Sequence, residues 1–495
     1  MTAIPVLIPT IMLLSAFLAT FSGLWRPKLA YIVSISGTLI TLIIASVGLW
    51  QVVTSGPISY HLGGWLPPWG IEYVLDNLSA FMCVVILFIT LMVLIYPPST
   101  GLYQTPRKGI PLYGLVMLLI TGLTGVVVTG DVFNLFVFLE IYSICSYALI
   151  TLGGNRAVIA SFRYLILGTI AGGFYLLGVG FLYFTTGTLN MADMAGILAA
   201  TPANPAIIAG MALVICALCI KMALFPLHVW LPDAHSYAPP VVAAILASVQ
   251  VEVAAYALIR LVLSVFSLEY ISTALPITDI IAWCAAVGII VGSVMAITQR
   301  DLKRMLAYST VGQIGYIGLG IGLANPLGLI GALLHILNHA FMKCCLFLVA
   351  GGIRKQTGLR EIPWFTGIGR RMPLMMAAFS VAALAMIGIP PTAGFFSKWY
   401  LVLGSIASGN WTFVAVLLAS SLLTAVYFFR IIEKVYTNPT KNANLNQNAS
   451  EPGPRILAPI LVLAFGIIVL GVFNAFIVTK VLAPLADTIF IMGGG

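Results

Sequence analysis

About fourteen apolar stretches punctuate this chain, beginning near Ile4, Leu29, Val74, Pro111, Val132, Ser161, Ala206, Val241, Ile280, Met305, Leu327, Met372, Trp411 and Ile456. Each is of the length, about 20 residues, that a helix needs to cross a bilayer. In hydrocarbon a segment must satisfy its own backbone N–H and C=O groups, so spans of this length are helices. The expected fold class is an all-α polytopic membrane protein of about fourteen transmembrane helices. Composition agrees: 61% of the residues are hydrophobic and 7% charged, against about 25% charged in a soluble domain. No basic n-region precedes the first span, so no cleaved signal peptide is expected.

The net charge of +9 does not point to nucleic acid, because the charges lie in short loops. Odd-numbered loops hold Arg26 and Lys28; Arg107 and Lys108; Arg156; Arg300, Lys303 and Arg304; Arg354, Lys355, Arg360, Arg370 and Arg371; and Lys434 and Lys441. Even-numbered loops hold Glu72, Asp131, Asp193, Glu269 and Asp279. Basic loops stay in the cytoplasm. The expectation is a multi-pass protein of the cell membrane with both termini on the outer side. Arg260, near the outer end of the eighth helix, is the exception. The largest polar insert, about Thr437 to Arg455, reads as a flexible loop, and Ile353 to Pro373 as an amphipathic interfacial linker.

One stretch breaks the apolar pattern. In CALCIKMALFPLHVWLPDAHSYAPP (Cys216 to Pro240), Lys221 sits where hydrocarbon is expected and Pro226 must break the helix. His228, Asp233 and His235 follow among further prolines. A charge in a membrane segment costs at least ~2.5 kcal/mol and marks an ion path by default. Broken helices at membrane depth are tolerated only inside protein or beside a wet cavity. Five helices later GIPPTAGFFSKWYLV breaks at Pro390 and Pro391 and carries Lys398. Five is odd, so two such copies run in opposite directions, as in inverted repeats. The lysine precedes the break in one copy and follows it in the other.

Other ionisable groups lie in the spans. Glu140 is well inside the fifth helix, and Lys221 is its expected partner; a fixed structural ion pair is the alternative reading. Glu252 is midway along the eighth, with Lys221 or His335 as the cation that would keep it charged. His335, His339 and Lys343, spaced i, i+4, i+8, share one helix face. Histidine titrates near neutrality and can pass protons. Packing histidines or a chelated metal are the rival readings; HExxH is absent and no third ligand is evident. The candidate proton and ion pathway is thus Glu140, Lys221, His228, His235, Glu252, His335, His339, Lys343 and Lys398. The seven cysteines lie in apolar stretches and indicate neither disulfides nor a zinc site. No Rossmann or P-loop pattern, haem motif or iron–sulfur run is present, so no cofactor is expected. The energy would come from an ion gradient or from partner subunits.

These residues resemble the proton-conducting, antiporter-like subunits shared by Mrp-type multisubunit Na+/H+ antiporters, respiratory complex I and membrane-bound hydrogenases. The resemblance runs from about Gly63 to Tyr400. GGWLPPWGIEYVLDNLSAFM and TGDVFNLFVFLEIYSICSYALITLGGN look most like the D-type subunit of Mrp antiporters, while PLHVWLPDAHSYAPP is similar to the wider superfamily. The resemblance implies fourteen helices, with inverted five-helix repeats in helices four to eight and nine to thirteen. That divides the chain into 1–110, 111–265, 266–436 and 437–495. It implies a pair between Glu140 and Lys221, and matches His335, His339 and Lys398 to the family's pathway. One position departs: where the family usually carries a lysine in the eighth helix, this chain has Glu252. The implied function is an ion-translocating subunit of a Mrp-type cation/proton antiporter, without a catalytic site of its own. The expected partners are other membrane subunits, protons, a monovalent cation and the lipid bilayer. A proton-pumping arm of a complex I-like or hydrogenase redox complex, or a structural subunit with a dead channel, are the alternatives.

Overall fold

The computed structural model describes residues 3–96, 106–266, 275–437 and 450–492. Glu269, Lys441, most of the polar insert and the side chains of Arg107 and Lys108 lie outside the described residues. Helices α1 (Ile4–Trp25) and α2 (Pro27–Ser55) lead into a hairpin of β1 (Ile58–His61) and β2 (Glu72–Leu75). The strands pair antiparallel from Ile58 with Leu75 to His61 with Glu72. Then come α3 (Asn77–Ile95), α4 (Pro106–Val128), α5 (Val132–Thr151), α6 (Asn155–Thr186) and a short α7 (Met191–Ala200). A broken pair follows, α8 (Pro205–Lys221) and α9 (Leu231–Tyr237). Next are α10 (Pro240–Val265), α11 (Ile277–Thr298), α12 (Leu302–Gly322) and α13 (Pro326–Thr357). A second broken pair, α14 (Pro373–Ile387) and α15 (Ala393–Ala407), precedes α16 (Trp411–Tyr436) and α17 (Pro454–Val472).

Among the described residues, 11 helices are long and apolar enough to cross a membrane. The three other expected spans are α8, α12 and the α14–α15 pair. Two of these are short because their helices are interrupted; α12 is long but carries polar groups and many glycines.

Two expectations need correction. The third helix starts at Asn77, not Val74. Residues Glu72 to Leu75 alternate between half-buried and buried, the period of a strand. Asp76 then caps the helix: its Oδ1 accepts from Ser79 N at 2.8 Å, while Ser79 Oγ accepts from Asp76 N at 2.8 Å. This reciprocal box fixes where a helix can begin. The amphipathic linker is also shorter than expected, because residues 353–357 finish α13. Single turns at Ile362–Trp364 and Ile368–Arg371 follow, and Arg360 binds Asp301 at 2.9 Å.

Arg260, the exception to the loop charges, is explained by its partner. It grips Asp76 with both ends of its guanidinium, at 2.6 and 2.8 Å. Burial alone would raise the Asp76 carboxyl; Arg260 and Ser79 outweigh it and hold the group at about 2. The pair ties the end of α10 to the start of α3.

The centre of the bundle is made by α10 and α13, whose apolar windows are wholly buried. Helix α10 contains two wide, π-type turns, at Leu246–Gln250 and Arg260–Val265. Helices α11 and α12 cross closely at glycines. A Cβ on Gly292 would lie 2.5 Å from Gly312 N and 3.1 Å from Tyr308 O. Gly180 of α6 has open space instead. Gly292→Ala should therefore destabilise by about 1–3 kcal/mol through overpacking. Gly180→Ala should be neutral or gain up to about 1 kcal/mol from helix propensity. Thermal midpoints of the two variants in detergent check the contrast.

Candidate functional site

Helix α8 stops inside the bundle. Ala223 takes a left-handed backbone, φ 59°, and Pro226 follows, so the helical hydrogen bonds cannot continue. Trp230 donates from Nε1 to Ile220 O at 2.9 Å, a second bond to a carbonyl that Ala223 N also reaches at 3.1 Å. Lys221, the last residue of α8, is buried and donates to Glu140 Oε1 at 3.1 Å and to Ser143 Oγ at 2.7 Å. Glu140 and Ser143 share a face of α5 at i, i+3. That helix is fixed at its start by Asp131, which accepts from Asn134 N at 2.6 Å. The Glu140 side chain is 27% exposed and Lys221's only 2%, so the carboxylate is the member that reaches the rim. It fits because α6 presents a glycine there: a Cβ on Gly172 would stand 2.7 Å from Glu140 Oε1.

One turn further along α5, Ser146 donates to Gln250 Oε1 at 2.7 Å. Gln250 in turn donates to Tyr164 Oη at 2.5 Å, and the Tyr164 ring stacks on Trp230 at 4.0 Å. Gln250 closes the first wide turn of α10, and Glu252 lies two residues on. Such turns re-aim side chains and recur at functional sites.

Glu252 is fully buried, and its Oε1 lies 2.6 Å from His339 Nδ1. The sequence suggested Lys221 or His335 as its cation; the partner is His339 instead. Helix α13, packed against the first part of α10, residues 240–250, brings that ring across, while Lys221 is taken up by α5. Glu252 Oε2 and His339 Nε2 have no hydrogen-bond partner among the described residues. Buried polar atoms of this kind are the places where a bridging water belongs. The His339 ring lies parallel to His335 at 6.0 Å between centroids. His335 is held by Ser397 Oγ at 2.9 Å and Gln313 Oε1 at 3.0 Å.

Beyond His335 stands Tyr316, with ring centroids 5.2 Å apart. Lys398 Nζ lies over the same Tyr316 ring at 4.8 Å. Among the described residues Lys398 has no carboxylate partner; it donates to Met386 O and Ile387 O, each at 3.0 Å, and to Ser421 Oγ at 3.2 Å. Those two carbonyls end α14, the negative pole of a helix, where a cation is favoured. Tyr316 also donates to Ser420 Oγ at 2.9 Å.

The remaining candidates stand apart. Lys343 donates to Leu306 O at 2.8 Å and binds Ser309 Oγ. His235 is fully buried against Trp230 and Phe347, and neither ring nitrogen has a partner among the described residues. His228 is half-buried, stacks on Phe225 at 5.4 Å, and is not brought to the others. Sequence reasoning missed the neutral links Ser143, Ser146, Gln250, Tyr164, Gln313, Tyr316 and Ser397. Their only signal was a polar residue inside an apolar span. It also counted Lys303 as a loop charge; Lys303 is buried and donates to Ala238 O at 2.5 Å. Among the described residues no His, Cys, Asp and Glu cluster could hold a metal ion.

The profile of the family described as "NADH:quinone oxidoreductase/Mrp antiporter, TM" matches residues 129–424. The chain belongs to this family. It is 49% identical over 460 residues to the N subunit of NADH-quinone oxidoreductase from Desulforudis audaxviator, covering 90% of this chain and 91% of that one. It is 32% identical over 475 residues to the D subunit of the Na(+)/H(+) antiporter from Alkalihalophilus pseudofirmus, covering 94% and 93%. Among solved structures it resembles a chain of the membrane-bound sulfane sulfur reductase, an archaeal respiratory membrane complex. That match has a TM-score of 0.90, 31% identity, and covers 99% of this chain and 98% of that one. A chain of the Mrp complex from Dietzia sp. DQ12-45-1b matches with a TM-score of 0.87, 25% identity, and coverage of 99% and 97%.

The ion pair at the break of α8 depends on Gly172, which leaves room for the Glu140 carboxylate. A methyl group there meets the free end of the Glu140 side chain, which can swing aside cheaply. Gly172→Ala should thus pull Glu140 off Lys221 and lower the thermal midpoint through the weakened pair rather than through a backbone clash. Proton transport by the assembled complex in vesicles, read with a pH dye, should fall several-fold.

Proposed function

We propose that the chain is an ion-translocating membrane subunit of a multisubunit complex. It moves protons along Glu140, Lys221, Glu252, His339, His335 and Lys398. The observation that carries this reading is the buried Lys221–Glu140 pair at the break of α8, followed by buried titratable groups up to Lys398 at the second break. A buried pair is weak evidence for stability, so a succession of buried titratable groups inside an apolar bundle argues for transport. His228, His235 and Lys343 are assigned to side branches of the path. The relatives named as D subunits of Na(+)/H(+) antiporters support a Mrp-type antiporter, with a monovalent cation exchanged for protons. Residues 111–265 and 266–436 act as two inverted halves, each with one broken helix. The basic loops face the cytoplasm and both termini the outside of a cell membrane.

A second reading has its own support. The 49% identity to the N subunit of an NADH-quinone oxidoreductase and the likeness to a respiratory complex favour a proton-pumping arm of a redox assembly. Purification of the native complex separates the two. An antiporter moves protons in response to a sodium gradient; a redox arm moves them when an electron donor is supplied.

Glu140→Ala and Lys398→Ala should each cut proton transport by at least about tenfold, which corresponds to ~1.4 kcal/mol on the barrier. The complex should still assemble. Full transport by assembled Glu140→Ala would sink the assignment. Glu252→Gln keeps the shape and removes titration, and should impair transport strongly. If Glu140→Ala and Glu252→Gln are both silent, the subunit is structural.

A further inference from the structure

Helix α9 has seven residues, too few to hold a helix in place by themselves. Its position between the first break and α10 is set from outside. In front of it, Trp230 donates to Ile220 O at 2.9 Å, next to Lys221, and stacks on Tyr164, which accepts from Gln250. In its first turn, Asp233 binds Arg163 of α6 at 2.9 Å and Arg304 of α12 at 3.5 Å. Behind it, the buried Lys303 of α12 donates to Ala238 O at 2.5 Å. The turn between α5 and α6 closes the other side, since a Cβ on Gly153 would run into Tyr237 O.

Lys303 stands on a fixed base. Asp301 caps the start of α12: its Oδ1 accepts from Arg304 N at 3.0 Å, and its Oδ2 lies 2.9 Å from Arg360. The backbone there pairs with the chain after α13, Leu302 N donating to Arg360 O at 3.1 Å and Ile362 N to Arg300 O at 2.8 Å. The amine that leaves this base is spent on a neutral backbone carbonyl. Burying a charge against such a partner costs stability, which argues for a role other than stability.

We propose that Lys303 is a positioning residue for the first break. By holding the end of α9, it keeps Trp230 on Ile220 O and on the Tyr164 ring. Those two contacts keep the Lys221–Glu140 pair and the Gln250 link to Ser146 in place. The proposal rests on the proton-path reading above. On the division given there, α12 belongs to the second half and α9 to the first, so Lys303 ties the geometry of one half to the other. In this role Lys303 carries no proton; it acts through α9.

The test measures proton flux per assembled complex in sealed vesicles, with a pH dye and over a range of pH. The parent chain, Lys303→Met, Trp230→Phe and the double variant are compared. A reacting group misplaced by about 1 Å can cost on the order of 100-fold, so Lys303→Met should lose at least about fivefold. Its pH profile should shift in the same sense as that of Gly172→Ala, because both loosen the Lys221–Glu140 pair. A smaller amount of intact protein would scale the profile without shifting it. Trp230→Phe keeps a stacking ring and removes the Nε1 donor. Because the two side chains act in series, the double variant should be no slower, within about twofold, than the slower single variant. If Lys303→Met does not assemble, Lys303→Gln, one bond shorter, takes its place with the same expectations. Parental flux, an unshifted profile, or losses that multiply in the double variant overturns the proposal. Glu140→Ala, measured alongside, keeps the two readings apart. A dead Glu140→Ala with parental flux in Lys303→Met removes only the positioning role, whereas an active Glu140→Ala removes the proton path itself.

Discussion

The ammonium group of Lys221 is the constraint on which the first half of the bundle depends. A charge at this depth costs at least ~2.5 kcal/mol unless it is solvated by protein. Solvation comes from Glu140 and Ser143, which forces α5 against the end of α8. The carboxylate then needs space, which Gly172 of α6 leaves. The helix carrying the lysine ends there, at Ala223 and Pro226, and Trp230 binds one of its last carbonyls. One charge thus sets a helix contact and a glycine beside the break that Ala223 and Pro226 make.

The second break solves the same problem differently. Lys398 has no acid beside it among the described residues; the open carbonyls of α14 and the face of Tyr316 take the place of a counter-ion. Between the two lysines lie α10 and α13, sealed from the surface. Polar side chains there must find their partners in other side chains, backbone carbonyls or water.

The spans were legible because hydrocarbon imposes a length, and Lys221 because a charge in an apolar run is conspicuous. Its partner was legible too, since Glu140 is the acid within the preceding spans. The β hairpin was not: four residues alternating in burial are hidden beside a long apolar run. Asp76 was visible, but its role as a cap depends on Ser79 three residues later. The partner of Glu252 was not legible either. The sequence offered Lys221 and His335, and choosing His339 instead requires knowing how α13 crosses α10. Lys303 looked like a loop charge because it adjoins Asp301 and Arg304; that its amine reaches Ala238 O is a fact of tertiary packing. The uncharged links such as Gln250 and Tyr164 carry no sign that separates them from ordinary polar residues.

The wide turn at Leu246–Gln250 is equivalent to one extra residue in an α-helix. Successive residues of an α-helix are rotated by about 100°. The turn therefore uncouples the angular phase of α10 before it from the phase after it. Gln250, at the end of the turn, is indexed to Ser146 and Tyr164, while Glu252 is indexed to His339. Excising a single residue from the turn would swing the second portion by about a third of a revolution and carry the carboxyl off its histidine. The helix behaves as two short rods with an adjustable joint, so each half of the path can be aligned in evolution without misaligning the other.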